Sequence, residues 1–292
     1  MKKKLLENLG AYLFIGPFVI LSAVFMIYPV IQGFIRSAYN TKWSRAVFVG
    51  LENYREIFSN DIYLLAIKNS LLFVVTVVPL LIIFGIWIAG SVFDKAFSYM
   101  SAVRVCLYIP VIASMVVMSI IWRFILDSQT GLVKYFSMLL GYPTAPNVLA
   151  DKKWTLLLLI FILFTMNIGQ TVLLYIADMI GISKDLLEAC TIDGGSRVDM
   201  FRYILIPLTS STSVLTFITQ TSAVLKVFVV IQLLTKGGPN YGTTTMMYLL
   251  YQDAFEKSNV GTASAMGVLM FLISLILISM RFVMMYRERK ED

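Results

Sequence analysis

Residues 70–93 read SLLFVVTVVPLLIIFGIWIAGSVF, a run without one charged side chain. A helix that crosses the hydrocarbon core of a bilayer needs about 20 mainly apolar residues, and this run meets that length. Five more stretches are mainly apolar over a comparable length, at about 11–34, 105–126, 154–178, 204–234 and 262–284. Six spans are therefore predicted. The fifth is interrupted by Pro207 and a run of Ser and Thr, which lowers its hydropathy.

Composition agrees with the spans. Hydrophobic residues make up 59% of the 292 and charged residues 14%, whereas a soluble domain is about 45–50% apolar and about 25% charged. So little charge cannot cover a surface that faces water on all sides. The fold expected is an all-α integral membrane protein, one membrane domain over residues 1–292, with no linker or repeat dividing it. The first apolar stretch follows Lys2-Lys3-Lys4. It is too long for the apolar region of a secretory signal, about 7–15 residues, and reads as a retained helix.

An even number of spans puts both termini on one side. The basic ends, Lys2-Lys3-Lys4 and Arg287-Glu288-Arg289-Lys290, point to the cytoplasm. Over all loops the bias is small, about 12 Lys and Arg inside against about 10 outside. The outer loops are then about 35–69, 127–153 and 235–261, and the inner ones about 94–104 and 179–203. The net charge of +7 reads as loops held beside anionic lipid and not as a nucleic-acid surface.

Histidine is absent, which removes His-based acid–base catalysis, the commonest zinc ligand sets and any Ser-His-Asp triad. Cys106 and Cys190 form no CxxC pair and read as small apolar fillers. No GxxxxGK[ST] phosphate loop occurs, so the chain has no such route to ATP. The acidic residues fall in loops or at span ends, Asp94 and Asp178 nearest the apolar runs. An ion-coupled secondary transporter normally keeps an ionisable group inside its spans, which makes that class the second choice. A membrane enzyme, with a Ser–Lys pair around Lys226, ranks third.

The inner segment Ser183-Lys-Asp-Leu-Leu-Glu-Ala-Cys-Thr-Ile-Asp-Gly-Gly-Ser196 carries the most information. Ser183 can cap a helix whose positive end Asp185 complements. Leu186, Leu187 and Cys190 give that helix an apolar face, and Gly194-Gly195 ends it. A second helical piece through Phe201-Arg202-Tyr203 leads to Pro207. By itself this is a short amphipathic helix at the membrane surface.

Glu188-Ala189-Cys190, Asp193-Gly194, Phe201 and Ile206-Pro207-Leu208 together resemble the EAA loop of ATP-binding-cassette importer permeases, roughly EAAxxDGAxxxxxFxxIxLP. Cys190 and Gly195 each replace an Ala of that pattern with another small residue. Further segments resemble the MalF/UgpA-type carbohydrate permeases in order along the chain. These are Gly50-Leu51-Glu52-Asn53-Tyr54, Asn69-Ser70, Trp122-Arg123 with Gly131, Leu234-Thr235-Lys236-Gly237-Gly238-Pro239, Thr243-Thr244-Thr245, Tyr251 and Ala254-Phe255.

The resemblance implies a type I importer transmembrane domain in a bacterial or archaeal inner membrane. It also implies a second related permease, two cytoplasmic ATPase subunits that hold the ATP and Mg, and an extracytoplasmic solute-binding protein. On this chain no cofactor or metal is expected. Glu188, Ala189, Asp193 and Gly194 would contact the ATPase, and the loops beginning near Ser37 and Lys236 would dock the binding protein.

A solute path needs polar side chains on faces turned from lipid. Thr212, Thr216, Thr219, Ala223 and Lys226 follow helical spacing on one stripe, with Gln220 beside it. In the fourth apolar stretch Asn167 and Gln170 share a face, and Gly169 between them leaves room for a ring. Hydroxyls and amides suit a sugar or oligosaccharide, which donates and accepts hydrogen bonds. They also serve as glue between helices. A Lys inside a span costs about 2.5–3.5 kcal/mol, so Lys226 is expected to face water, a partner or an anionic solute.

Overall fold

A computed structural model of the protein describes residues 13–40, 46–142, 144 and 147–291, with side chains to residue 283. The described residues hold four helices long and apolar enough to cross a membrane, and six if each of two bent pairs is one span. Their contacts divide into two compact units. One is drawn from Met1–Asn60 and Leu249–Phe271, the other from Asp61–Tyr248 and Leu272–Asp292.

In the first unit, α1 (Leu13–Ser37) buries nothing of its apolar stretch within the chain. Its exit is tied down by the residues of the Gly50–Tyr54 segment. Tyr39–Asn40 and Val47–Phe48 form a two-residue antiparallel pair, β1 and β2, and α2 (Glu52–Ser59) follows. The buried Asn53 amide donates to the carbonyls of Ser37 and Tyr39 at 2.8 and 3.0 Å, and Tyr54 Oη donates to Ser37 Oγ at 2.8 Å. The Phe34 ring meets Phe271 edge-on at 5.9 Å.

The second unit is built on α3 (Asp61–Val92). This helix begins nine residues before its uncharged run, because Asp61 sits in the first turn, where a carboxylate favours the helix N-terminus. It packs along α7 (Lys152–Ile180) and against α10 (Ser210–Leu225), while α4 (Phe97–Ile112) lies on α7. Phe73, Val77 and Leu81 of α3 and Leu159, Ile162 and Tyr175 of α7 are fully buried in the shared core. Small residues set the spacing. A Cβ on Gly85 would sit 2.5 Å from Thr171 Cγ2 and 3.2 Å from the Tyr175 ring.

Two of the six expected spans are not single rods. The third breaks between α4 and α5 (Met115–Ile125), which meet at 96°, and the short α6 (Leu132–Leu139) follows. Ala113 and Ser114 are extended there, and Ser114 Oγ accepts the Val117 N–H at 3.2 Å to start the new helix. Hydropathy cannot see such a break, since both halves are apolar. In the fifth, α9 (Arg197–Leu208) meets α10 at 62°. The bend is at Thr209, two residues after Pro207, and Thr209 Oγ1 donates to the Leu205 carbonyl at 2.7 Å. Nor does this helix run to residue 234. It stops at Leu225 with Lys226 as its C-cap, and a π-helical turn over Ile231–Thr235 follows. The chain then runs through α11 (Met246–Tyr251) into α12 (Val260–Glu291).

Gly169 of α7 lies under α4, and a Cβ there would collide with the Leu107 carbonyl. Overpacking a tight site costs about 1–3 kcal/mol, so Gly169→Leu is expected to lower the thermal midpoint of the detergent-solubilised protein. Gly33→Ala, where nothing lies within 4 Å, is expected to leave it in place. A thermal scan of the two variants checks both.

Candidate functional site

The inner segment folds as its residues predict. α8 (Lys184–Ile192) opens on Ser183, whose Oγ accepts the Asp185 N–H at 3.3 Å. It closes on a Schellman turn. The Gly195 N–H donates to the Cys190 carbonyl at 2.9 Å and the Gly194 N–H to that of Thr191 at 3.1 Å. Gly194 takes φ +80°, the left-handed conformation that favours glycine. Gly195 rests on Cys190, where a Cβ would lie 2.6 Å from Sγ. Asp193 is the C-cap.

No residue of α8 is buried. Glu188 and Ala189 face solvent, and so do apolar side chains, Leu186 at 49% and Ile192 at 84% of full exposure. α8 is thus an amphipathic helix capped at both ends, with Leu187 on the core and Leu186 and Ile192 uncovered within the chain.

The flanks of α8, by contrast, are tied to the bundle. Ser196 and Asp199 form a capping box at the start of α9. The Ser196 hydroxyl and N–H donate to Asp199 Oδ2 at 2.6 and 2.9 Å. Arg197 Nη2 donates to Asp94 Oδ1 at 2.7 Å and to the Ser91 carbonyl at 3.3 Å. The Phe201 ring lies on Gly90, where a Cβ would be 2.6 Å from the ring. A cavity of about 240 Å³ opens here between the end of α3 and α9, bordered by Trp87, Phe93, Val198 and Met200. On α7, Asp178 Oδ2 accepts from Thr212 Oγ1 at 2.6 Å, and Tyr175 Oη donates to Ser213 Oγ at 2.8 Å. Both boundary carboxylates, Asp94 and Asp178, are thus spent on holding α9 and α10.

The polar stripe of the fifth span divides. Thr219, Ala223 and Lys226 are exposed along one line of α10, while Thr216 at 0% and Gln220 at 2% are buried within the chain. Lys226 is exposed at the helix C-terminus, where a cation complements the helix dipole; it is not embedded in a helix. On α7, Gln170 is exposed and Asn167 half-buried, its amide donating to the Leu163 carbonyl at 2.7 Å. The room in front of Gly169 is filled by the backbone of α4 and not by a ring.

Sequence reasoning missed how the 235–246 loop is made. Asn69 Nδ2 donates to the carbonyls of Gly242 and Thr244, both at 2.9 Å, and Ser70 Oγ accepts the Met246 N–H at 2.9 Å. Thr243 Oγ1 donates to the Gly238 carbonyl at 2.6 Å, and Thr245 Oγ1 to that of Val227 at 3.0 Å. On this frame Lys236, Asn240 and Tyr241 are exposed, each with positive φ. The buried pair Asn69-Ser70 in an apolar run was the one available signal. Arg123, of the Trp122-Arg123 pair, reaches the Leu233 carbonyl at 3.5 Å.

Comparison with known proteins agrees with this geometry. Residues 81–289 match the family model described as "Binding-protein-dependent transport system inner membrane component". The chain is 28% identical to the sn-glycerol-3-phosphate transport system permease protein UgpA of Pectobacterium atrosepticum, over 96% of this chain and 94% of that one. It is 26% identical to the lactose transport system permease protein LacF of Rhizobium radiobacter, over 97% and 96%. It has the fold of a solved bacterial ABC transporter involved in the import of the acidic polysaccharide alginate, with a TM-score of 0.86, 21% identity and 98% of each chain covered.

The Schellman turn gives a local test. An L side chain in the left-handed region costs about 1–2 kcal/mol, so Gly194→Val is expected to fray the end of α8. Hydrogen exchange should quicken over residues 189–195 and stay unchanged in α7.

Proposed function

We propose a role for this chain on the premise that it belongs to the binding-protein-dependent transport system inner membrane components, multi-pass permease subunits and not enzymes. In this reading it forms, with a second related permease, the path of an ATP-driven importer for a carbohydrate. Two cytoplasmic ATPase subunits hold the ATP and Mg, and an extracytoplasmic binding protein delivers solute. The spans run N-in and C-in, so that α8 lies in the cytoplasm. The single observation that carries the coupling role is α8 itself, capped at both ends and buried nowhere. Glu188, Ala189, Asp193 and Gly194 meet the ATPase, whose contact covers Leu186 and Ile192. ATP binding and hydrolysis then move α8, and the path alternates between its two openings.

The carbohydrate assignment draws support from the UgpA and LacF relatives, whose names carry a polyol phosphate and a disaccharide. The side chains offered to the path are Thr219, Ala223 and Lys226 on α10 and Gln170 on α7, with Asn167 at its margin. Thr216, Gln220 and Gly169 support the helices behind that face. A hydroxyl, an amide and a cation together suit a solute that pairs hydroxyl groups with an anionic group.

Co-purification tests the coupling role. Glu188→Lys is expected to lose the ATPase from the solubilised complex; retention of the ATPase would remove the role given to Glu188. Uptake tests the path. A charge-assisted hydrogen bond contributes about 1.5–3 kcal/mol, so Lys226→Gln is expected to cut uptake of a phosphorylated or uronic-acid sugar by about tenfold or more and to spare a neutral sugar. Equal uptake of the acidic sugar by both proteins refutes charge reading by Lys226.

A further inference from the structure

We propose that α3 is the rod that carries the movement of α8 across the bundle, and that it takes this movement through a joint made by Asp94–Arg197 and by Phe201 on Gly90. The inference rests on the coupling role of α8 proposed above and adds the route by which the motion travels.

α8 has no fully buried residue and rests on the core of its unit through the half-buried Leu187, so its firm attachments among the described residues are its flanks. The following helix, α9, is engaged on the same side by three contacts. Leu205 is in the core at 2% exposure, the Phe201 ring lies on the bare backbone of Gly90, and Arg197 holds Asp94 and the Ser91 carbonyl. A straight rod of α9 and α10 would drive α10 along its axis. The chain instead bends by 62° at Thr209, so a displacement of α9 is not aligned with α10. It is delivered sideways, to residues 90–94.

The two halves of the joint do different work. Ring on backbone resists compression and so transmits a push, and glycine is what lets the ring sit so close. The ion pair and the bond to the Ser91 carbonyl resist separation and so transmit a pull. Both side chains of the pair are partly exposed, at 52% and 44%, so the pair is weak as a source of stability. Its contribution is direction. A cycle that opens and recloses a path needs movement both ways.

α3 then connects the joint to the opposite end of its unit. It is one helix from Asp61 to Val92. Pro79 removes one hydrogen bond from its middle, but Val77, Val78 and Leu81 on either side are fully buried and keep it seated. In its N-terminal third Asn69 and Ser70 make the three bonds that shape residues 242–246. One helix therefore touches both the flank of α8 and the frame of the loop that presents Lys236, Asn240 and Tyr241.

The test uses the assembled transporter in proteoliposomes, with the ATPase and the loaded binding protein. Asp94→Arg and Arg197→Asp are each expected to keep the ATPase bound and to lower solute moved per ATP hydrolysed by about tenfold, within the usual range of coupling between sites. The double reversal is expected to restore it. Unchanged yield per ATP in the single variants overturns the proposal, and so does a double variant as impaired as the singles. Glu188→Lys, run in parallel, reads the underlying role separately through loss of the ATPase itself. Should the reversals fail to accumulate, Asp94→Cys with Arg197→Cys, in a background of Cys106→Ser and Cys190→Ser, replaces them. Joining the two thiols with a short bifunctional reagent is expected to raise the yield per ATP towards that of the parent. If joining them arrests uptake, the joint must open during the cycle, and the rod as described is wrong.

Discussion

The second unit depends on how closely α3 can approach α7. Between apolar helices in lipid there is no water to expel, and association rests on contact between surfaces that fit. Gly85 admits Thr171 and Tyr175, and Gly169 admits the α4 backbone. With the three helices at that spacing, Phe73, Leu81, Leu159, Ile162 and Tyr175 close into a core with no exposure. α10 then has a surface to lie on, and α9 finds the end of α3 within reach of its Phe and Arg. Larger residues at the two glycines would part the helices and take the attachment points of α9 with them.

Breaks in such a bundle carry their own requirement, since backbone groups freed from a helix have few partners in an apolar setting. The chain meets it with short polar side chains set beside each break. Ser114 serves the α4–α5 corner and Thr209 the α9–α10 bend, while Asn69, Ser70 and the three threonines 243–245 serve the loop. Neighbouring polar residues of one span therefore differ in their surroundings. On α10, Thr219 is exposed while Thr216, three residues away, is fully buried.

What the sequence made legible is what local chemistry decides. Apolar runs located the long helices, and Ser183 and Gly194-Gly195 located both ends of α8, because a cap is written within a few residues of the end it closes. The family resemblance rested on short motifs as well, Glu188-Ala189-Cys190 with Asp193-Gly194 foremost, taken in their order along the chain. Features that depend on distant partners stayed hidden. Asp94 and Arg197 are 103 residues apart, and neither carries a mark of the other. The corner at Ala113–Ser114 joins two apolar helices, so hydropathy runs through it. Lys226 looked like a charge inside a span because Val227 and the apolar residues after it continue the run. Only the end of the helix at Leu225 gives it a cap position.

The bonds from Asn69 and Ser70 also bear on how the protein is made. Their partners lie 173 to 176 residues further along the chain. Synthesis proceeds from the N-terminus, so α3 leaves the ribosome with two polar side chains whose acceptors and donor do not yet exist. They must be accommodated in some other way, by water or by the insertion machinery, until residues 242–246 arrive. The loop is therefore moulded on a template laid down early. A truncated chain that ends before it has a complete α3 in which Asn69 and Ser70 lack these three partners.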